Sequence, residues 1–298
     1  MSLLANPVPR LFIGAALISL SPVWVKLVDV SATTSGFYRV AIGGVALTLY
    51  LVLSGRRMSF SRATWAVLLA SALFFSLDLW FWHRSIQYIG PGLSTLLANF
   101  QVFIMTAFGL VVLREAPRLM QVVAIPLALV GLALIVGLDW RALPEDYRLG
   151  VIFGLATAAA YAGYLLSMRR ARQGSPHRIP SREIAVVSLV CAAMLCATAM
   201  IEGQSLAVPT LEDAAWLGAY GLLSHSLGLM FIASSLPHVR TTQVGIALLL
   251  QPTLSFVWDV LFFARPMSMT ELLGAAIALL AIYLGSRSSS KQPQGARQ

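Results

Sequence analysis

Apolar runs about 20 residues long follow one another along this chain with almost nothing between them, and that recurrence leaves few folds open. Roughly 20 residues at about 1.5 Å of rise each cross about 30 Å of hydrocarbon, so each run reads as one membrane-spanning helix. The windows fall at about 10–29, 34–54, 63–85, 91–113, 118–137, 149–169, 183–202, 212–236, 239–263 and 270–286. The longest gaps, RALPEDYR at 141–148 and RRARQGSPHRIPSR at 169–182, are too short to fold as soluble domains. The expected fold class is therefore an all-α polytopic membrane protein with ten transmembrane helices. A composition of 58% hydrophobic and 11% charged residues agrees with it. The first apolar run has no small-residue cleavage site and is followed at once by another, so it reads as a retained helix.

The net charge of +9 does not point to nucleic acid, because the basic residues sit in the short gaps rather than in one basic region. Counted on alternate sides of the ten windows, 15 Lys and Arg collect on one face and four, Arg84, Arg141, Arg148 and Arg265, on the other. The positive-inside rule then puts both termini in the cytoplasm. The tail 287–298, polar and rich in Ser and Gln, is expected to be disordered. Cys191 and Cys196 are five apart in one apolar run, about 140° apart on a helix, which favours packing over a shared metal or disulfide. No metal or cofactor is expected, and the chain is expected to act as a monomer in the lipid bilayer.

The second half echoes the first. With a shift of 150 residues, Gln101-Val102 falls on Gln251-Pro252, Ser85 on Ser235, Gln121 on Glu271 and Ala124 on Gly274. The expected units are 1–140 and 141–286, five helices each. An odd number of helices per unit makes the second copy enter the membrane from the opposite side, the inverted-repeat construction of many secondary transporters.

Two five-helix copies, each with a fourth helix running through a central Gln and ending in a charged turn (LREAPRLMQ, then FARPMSMTE), resemble the ten-helix branch of the drug/metabolite transporter superfamily. The resemblance covers roughly residues 10 to 286 and is nearest to the YddG-type exporters of aromatic amino acids. That family often closes both fourth helices with Gly-Glu, whereas this chain has Arg114-Glu115 and Ala264-Arg265. The resemblance implies a central cavity lined by helices 1, 3, 4, 6, 8 and 9, open alternately to the two sides of a bacterial inner membrane.

Polar groups inside hydrocarbon are costly, a central Asp by roughly 2.5–3.5 kcal/mol, so those present are site candidates. Gln101 and Gln251 share midspan depth and repeat position, and they either hydrogen-bond one substrate or act as packing glue. Asn99, about 160° round the helix from Gln101, reads as glue. His225, between Ser224 and Ser226, either titrates and couples transport to protons or sits neutral against a carbonyl or hydroxyl. In LDLWFWHRSIQY the wheel puts Asp78 and Trp82 on one face with Ser71, Phe74, Phe75 and Ser85. Trp80, His83 and Arg84 look like part of an outer aromatic belt. Asp78 is read either as a buried ion pair with Lys26 or Arg39 or as a ligand contact.

Pro22 permits a kink in helix 1 with Trp24 just beyond it. Gly154, Ala158 and Ala162 form a small-residue seam on helix 6, with Tyr161 and Tyr164 on a neighbouring face, placed either to stack on a solute ring or to anchor the inner interface. Asp259 reads as an outer-rim group. A membrane enzyme is a rival class, but HExxH, Gly-x-Gly-Asp and the P-loop GxxxxGK[ST] are missing from the sequence. A channel or lipid flippase is a second rival. The expected function is export of aromatic and other bulky apolar amino acids, with Trp24, Asp78, Trp82, Gln101, Tyr161, Tyr164, His225 and Gln251 as the candidate substrate-binding residues. The alternative is a proton-coupled exporter of drugs or cationic metabolites.

Overall fold

The computed structural model describes residues 6–56, 59–112, 114, 119–136, 141–172, 180–239 and 241–286. The tail 287–298 lies outside the described residues. Helices account for almost all of them: α1 (Pro7–Ser19), α2 (Ser21–Leu27), α3 (Ala32–Leu53), α4 (Arg62–Ala98), α5 (Gln101–Val111), α6 (Leu119–Val136), α7 (Glu145–Ala171), α8 (Ser181–Ile201), α9 (Leu211–Ala219), α10 (Leu229–Ser235), α11 (Thr241–Phe263) and α12 (Met269–Ser286). A π-helical stretch, Tyr220–Gly228, joins α9 to α10. Six helical stretches among the described residues are long and apolar enough to cross a membrane: Pro7–Leu27, Ala32–Leu53, Arg62–Val111, Glu145–Ala171, Ser181–Ile201 and Leu211–Ser235. Val123–Val136, Ala247–Phe263 and Met269–Leu284 are shorter apolar helices.

Two of the long stretches are broken, and each break has a local cause. Arg62–Val111 is 50 residues long, about 75 Å as a continuous helix and far more than one crossing. It breaks at Gly90 (φ 84°, ψ 166°), a conformation open to glycine and to almost nothing else, immediately before Pro91. It breaks again at Asn99–Phe100, where the Asn99 Nδ2 donates back to the Thr95 carbonyl at 2.8 Å. Pro22 has no N–H to donate, and α1 gives way to α2 at Leu20. Carbonyls beside the break take donors from other helices instead. Ser224 donates to the Leu17 carbonyl at 2.7 Å and Ser255 to the Ser19 carbonyl at 3.2 Å. Hydroxyls on neighbouring helices are one of the few ways to satisfy such groups in hydrocarbon.

Packing follows the small residues. α4 packs along α7, where Gly150 faces Tyr88 and Ile89, Gly154 faces Leu97 and Ser85, and Ala158 and Ala162 are buried. α3 packs on α8, with Gly44 against Ser188 and Leu189. α6 and α12 cross with backbones in contact at Gly131 and Gly274, between buried Ala124, Ala128, Ala275, Ala278 and Ala281. With no water to expel, helices in lipid associate through such close approach.

The fourth helices of the two halves end alike. Arg114 (φ 53°) and Ala264 (φ 47°), 150 residues apart, are the only non-glycine residues with positive φ among the described residues. A left-handed residue after the last turn is a common helix terminator and favours glycine, which explains physically why the resembled family prefers Gly there. Ala264→Gly should therefore stabilise the protein, by about 0.5–1 kcal/mol, because relief of the Cβ clash exceeds the added freedom of the unfolded chain. Thermal unfolding in detergent checks this, and a lower melting temperature would contradict it.

Candidate functional site

The buried positions of α4 recur at 68, 71, 72, 75, 76, 78, 79, 82, 83, 85, 86 and 89. This stripe is wider than one face because α2, α3, α7, α8 and α11 all pack against the helix. Asp78 lies in it at 7% exposure, one turn beyond Phe75 and one turn before Trp82. Below Asp78, rings from three elements form a ladder. Tyr161 stacks on Tyr164 at 5.6 Å, Tyr164 on Phe75 at 4.7 Å, and Phe75 lies parallel to His225 at 6.0 Å. Above it, the Arg39 guanidinium of α3 lies 5.4 Å from the Trp82 ring centre and 5.2 Å from that of Tyr220. Trp24, partly buried, packs against the cluster of Trp82, Ile86 and Tyr220 and donates to the Ser224 hydroxyl at 3.1 Å.

The ion pair considered for Asp78 is not formed. Lys26 is exposed, and Arg39, although within electrostatic reach of Asp78, makes no ion pair with it. Among the described residues the three ion pairs are Arg84–Glu202, Arg265–Asp259 and Arg265–Glu271, and no hydrogen bond reaches the Asp78 carboxylate. Arg39 instead donates from Nη1 to the Tyr220 hydroxyl at 3.1 Å, while its Nε is buried without a partner.

His225 is fully buried in the π-helical stretch, with Nε2 2.8 Å from the Ser188 hydroxyl and Nδ1 unpartnered. Its ring sits against Gly43 of α3, where any Cβ would collide with it. π-Helical stretches are rare and concentrate at functional positions. Five of the candidates, Asp78, Trp82, Tyr161, Tyr164 and His225, thus fall in one neighbourhood, with Trp24 at its edge.

The glutamines stand apart. Gln101 is the first residue of α5, and its Oε1 is buried with no partner; Gln251 makes no side-chain hydrogen bond, and the two do not bond each other. Neither glutamine makes an interhelical side-chain hydrogen bond among the described residues. Replacing Gln101 by Leu should leave the fold at least as stable, since an unpartnered buried acceptor is removed, and either replacement should lower transport several-fold. Transport at the wild-type rate in both variants would take them out of the site.

The reading of His83 as part of an outer belt is corrected. His83 is fully buried, with Nδ1 2.7 Å from the Leu79 carbonyl and Nε2 3.2 Å from the Tyr220 hydroxyl. Arg84 stacks on Trp80 at 3.8 Å and pairs with Glu202 at 2.7 Å. Glu202 also accepts from the Trp80 indole at 2.7 Å and the Thr33 hydroxyl at 2.6 Å, so one carboxylate gathers α3, α4 and the end of α8. Burial would raise this carboxyl, but the hydrogen bonds from Thr33 and Trp80 and the Arg84 charge outweigh it and hold it below the usual range. Asp259 is only 2% exposed; it accepts the Gly92 N–H at 3.0 Å and faces Arg265 at 3.5 Å, clasping the turn between the two parts of α4.

Sequence reasoning left out Arg39, Phe75 and Tyr220 as site residues. The available signal for Arg39 was a guanidinium two turns inside an apolar run, GFYRVAIGG, with no acidic residue on its own helix.

Six helical stretches long and apolar enough to cross a membrane, packed around buried aromatic rings, define a polytopic membrane protein. The family comparison agrees: the model of the EamA-like transporter family matches twice, over residues 9–137 and 148–287. The chain belongs to the EamA-like transporter family, and so is a two-repeat membrane transporter of the drug/metabolite transporter superfamily. Among solved structures, 28 chains match. One, described only as the crystal structure of a protein, is similar over 95% of this chain and 99% of its own, with a TM-score of 0.65 at 17% identity, a likeness of fold. No curated protein matches the chain.

Proposed function

We propose that this transporter exports aromatic and other bulky apolar amino acids from the cytoplasm by alternating access, as the YddG-type members of the superfamily do. One observation carries the reading: Asp78 lies inside a spanning helix without an ion-pair or hydrogen-bond partner, between the Phe75–Tyr164–Tyr161 ladder and the Trp82 and Tyr220 rings. A free carboxylate there costs stability, and an aromatic wall adds nothing to a path for ions or water. Together they suit an amphipathic solute with a cationic group and a ring. Stacking favours a ring by roughly 0.5–1.5 kcal/mol per pair, so two contacts give about tenfold selectivity or more.

In this reading the ten windows are ten spans in two inverted five-helix repeats, 1–140 and 141–286. The chain works as a monomer in a bacterial inner membrane with both ends cytoplasmic. Export runs down the metabolite gradient without protons. The alternative, proton-coupled export of cationic drugs or metabolites, is favoured by the unpaired Asp78 but opposed by Arg39 beside it, which repels a cation.

Counterflow in proteoliposomes with a panel of amino acids tests the assignment. Exchange of Phe, Tyr and Trp ahead of Met and Leu is expected, and exchange of cationic dyes with no amino-acid counterflow would refute it. An imposed pH gradient that drives accumulation above equilibrium would replace the uncoupled mechanism. A cysteine placed within 172–178 should resist an impermeant thiol reagent in intact cells, and ready labelling there would invert the topology.

A further inference from the structure

We propose that Arg39 and Asp78 form a two-point clamp for the zwitterionic head of a free α-amino acid, Arg39 taking the carboxylate and Asp78 the ammonium, so that a substrate must carry both charges. The inference rests on the amino-acid reading above and adds to it a requirement on the head group and a substrate-contacting role for Arg39.

The carboxyl group of Asp78 and the guanidinium of Arg39 do not meet. α3 and α4 are neighbours, and at membrane depth a guanidinium and a carboxylate left free to move would collapse into a pair. They are held apart because Arg39 is tied elsewhere by a chain of hydrogen bonds whose direction is set. His83 Nδ1 lies 2.7 Å from the Leu79 carbonyl, which only accepts, so Nδ1 carries a proton and, in the neutral ring, Nε2 is an acceptor. The Tyr220 hydroxyl, 3.2 Å from Nε2, therefore donates to it and uses its oxygen to accept from Arg39 Nη1 at 3.1 Å. Trp82 and Tyr220 cover the guanidinium at 5.4 and 5.2 Å. His83, fully buried and otherwise without a role, is thus a positioning residue for Arg39.

What remains unpartnered matches an amino-acid head. Arg39 keeps a buried, unpartnered Nε donor, and Asp78 keeps a carboxylate that no described residue hydrogen-bonds. An α-ammonium supplies donors and an α-carboxylate supplies acceptors on adjacent atoms, which bridges the two charges and neutralises both. The side chain then meets the rings that flank Asp78. An amine lacking the carboxylate would leave Arg39 uncompensated, and an acid lacking the ammonium would leave Asp78 so. A site built to hydrogen-bond a group rejects analogues without it far more strongly than an apolar pocket rejects a missing methylene.

The test is competition against phenylalanine counterflow in proteoliposomes by three probes: phenylalanine, phenethylamine and 3-phenylpropionate. In the wild-type chain the amine and the acid should each compete at least about tenfold more weakly than phenylalanine. Arg39→Gln should weaken phenylalanine by a similar factor and bring the amine level with it, Asp78→Asn should do the same for the acid, and Arg39→Lys should restore part of the preference. Should a variant fail to fold, as judged by size-exclusion in detergent, the wild-type probe series decides alone. Equal competition by the amine in wild type, or unchanged phenylalanine affinity in Arg39→Gln, overturns the clamp while amino-acid transport stands. Absence of phenylalanine counterflow in wild type removes the amino-acid reading itself.

Discussion

Replacing Gly131 with Leu should leave little folded protein. A Cβ at this position would stand 2.8 Å from the Ala278 nitrogen and 2.9 Å from the Gly274 carbonyl oxygen, and its mirror at Gly274 would stand 2.8 Å from the Gly131 oxygen. All of these are backbone atoms, so no side-chain rotation relieves the clash and α6 and α12 must separate. Separation also opens the contacts of buried Ala128, Ala275 and Ala278, which have no hydrophobic force to draw them back together in lipid. Overpacking typically costs about 1–3 kcal/mol where neighbours can yield; here the cost should exceed about 3 kcal/mol. Gly218→Leu is the control, because nothing lies within 4 Å of the added Cβ. Fluorescence-detected size-exclusion and thermal unfolding in detergent compare the two. Equal melting temperatures would mean that the α6–α12 crossing does not hold the halves together.

Gly90→Val should both destabilise the protein and reduce transport more than any substitution at an exposed loop glycine such as Gly203. The backbone at φ 84°, ψ 166° is strained for every side chain and most for a β-branched one, at about 1–3 kcal/mol. The new Cβ would also stand 2.8 Å from Asp259 Oδ2. That carboxylate accepts the Gly92 N–H at the start of the following helical stretch and faces Arg265, so displacing it unties α4 from α11 and the turn before α12 together. The combined cost should approach about 3 kcal/mol, with transport down at least about tenfold, since a rearranged turn misplaces the helix that carries the site. Thermal unfolding alongside counterflow measures both effects. Wild-type melting in Gly90→Val would show that the turn tolerates another conformation.

The break at Pro22, the small-residue seam Gly154, Ala158 and Ala162, and the two-fold repeat were legible in the sequence for one physical reason, whereas of the ten expected spans six helical stretches among the described residues are long and apolar enough to cross, Arg62–Val111 running through two windows. In lipid every residue of a span meets the same solvent, so length and polarity act locally and add up along the chain. The positive φ at Arg114 and Ala264 lay beyond that logic, since nothing in either residue type asks for it.

The site divides in the same way. That Asp78 and Trp82 share a face follows from 3.6 residues per turn, and the sequence alone carries it. That His83 is buried with them does not follow, because α4 is enclosed on several sides and a single-stripe reading assigns one wet face too many. Whether Asp78 pairs with Arg39 was undecidable from spacing: both have the same depth and opposite charge, and the outcome depends on where Tyr220, 181 residues away from Arg39, puts its hydroxyl. A sequence determines how deep in the membrane each polar group sits, because depth is counted along one helix. Only the packing of α3, α4 and the π-helical stretch decided which of those groups became partners, because that depends on how separate helices are rotated about their own axes, a quantity no single span encodes.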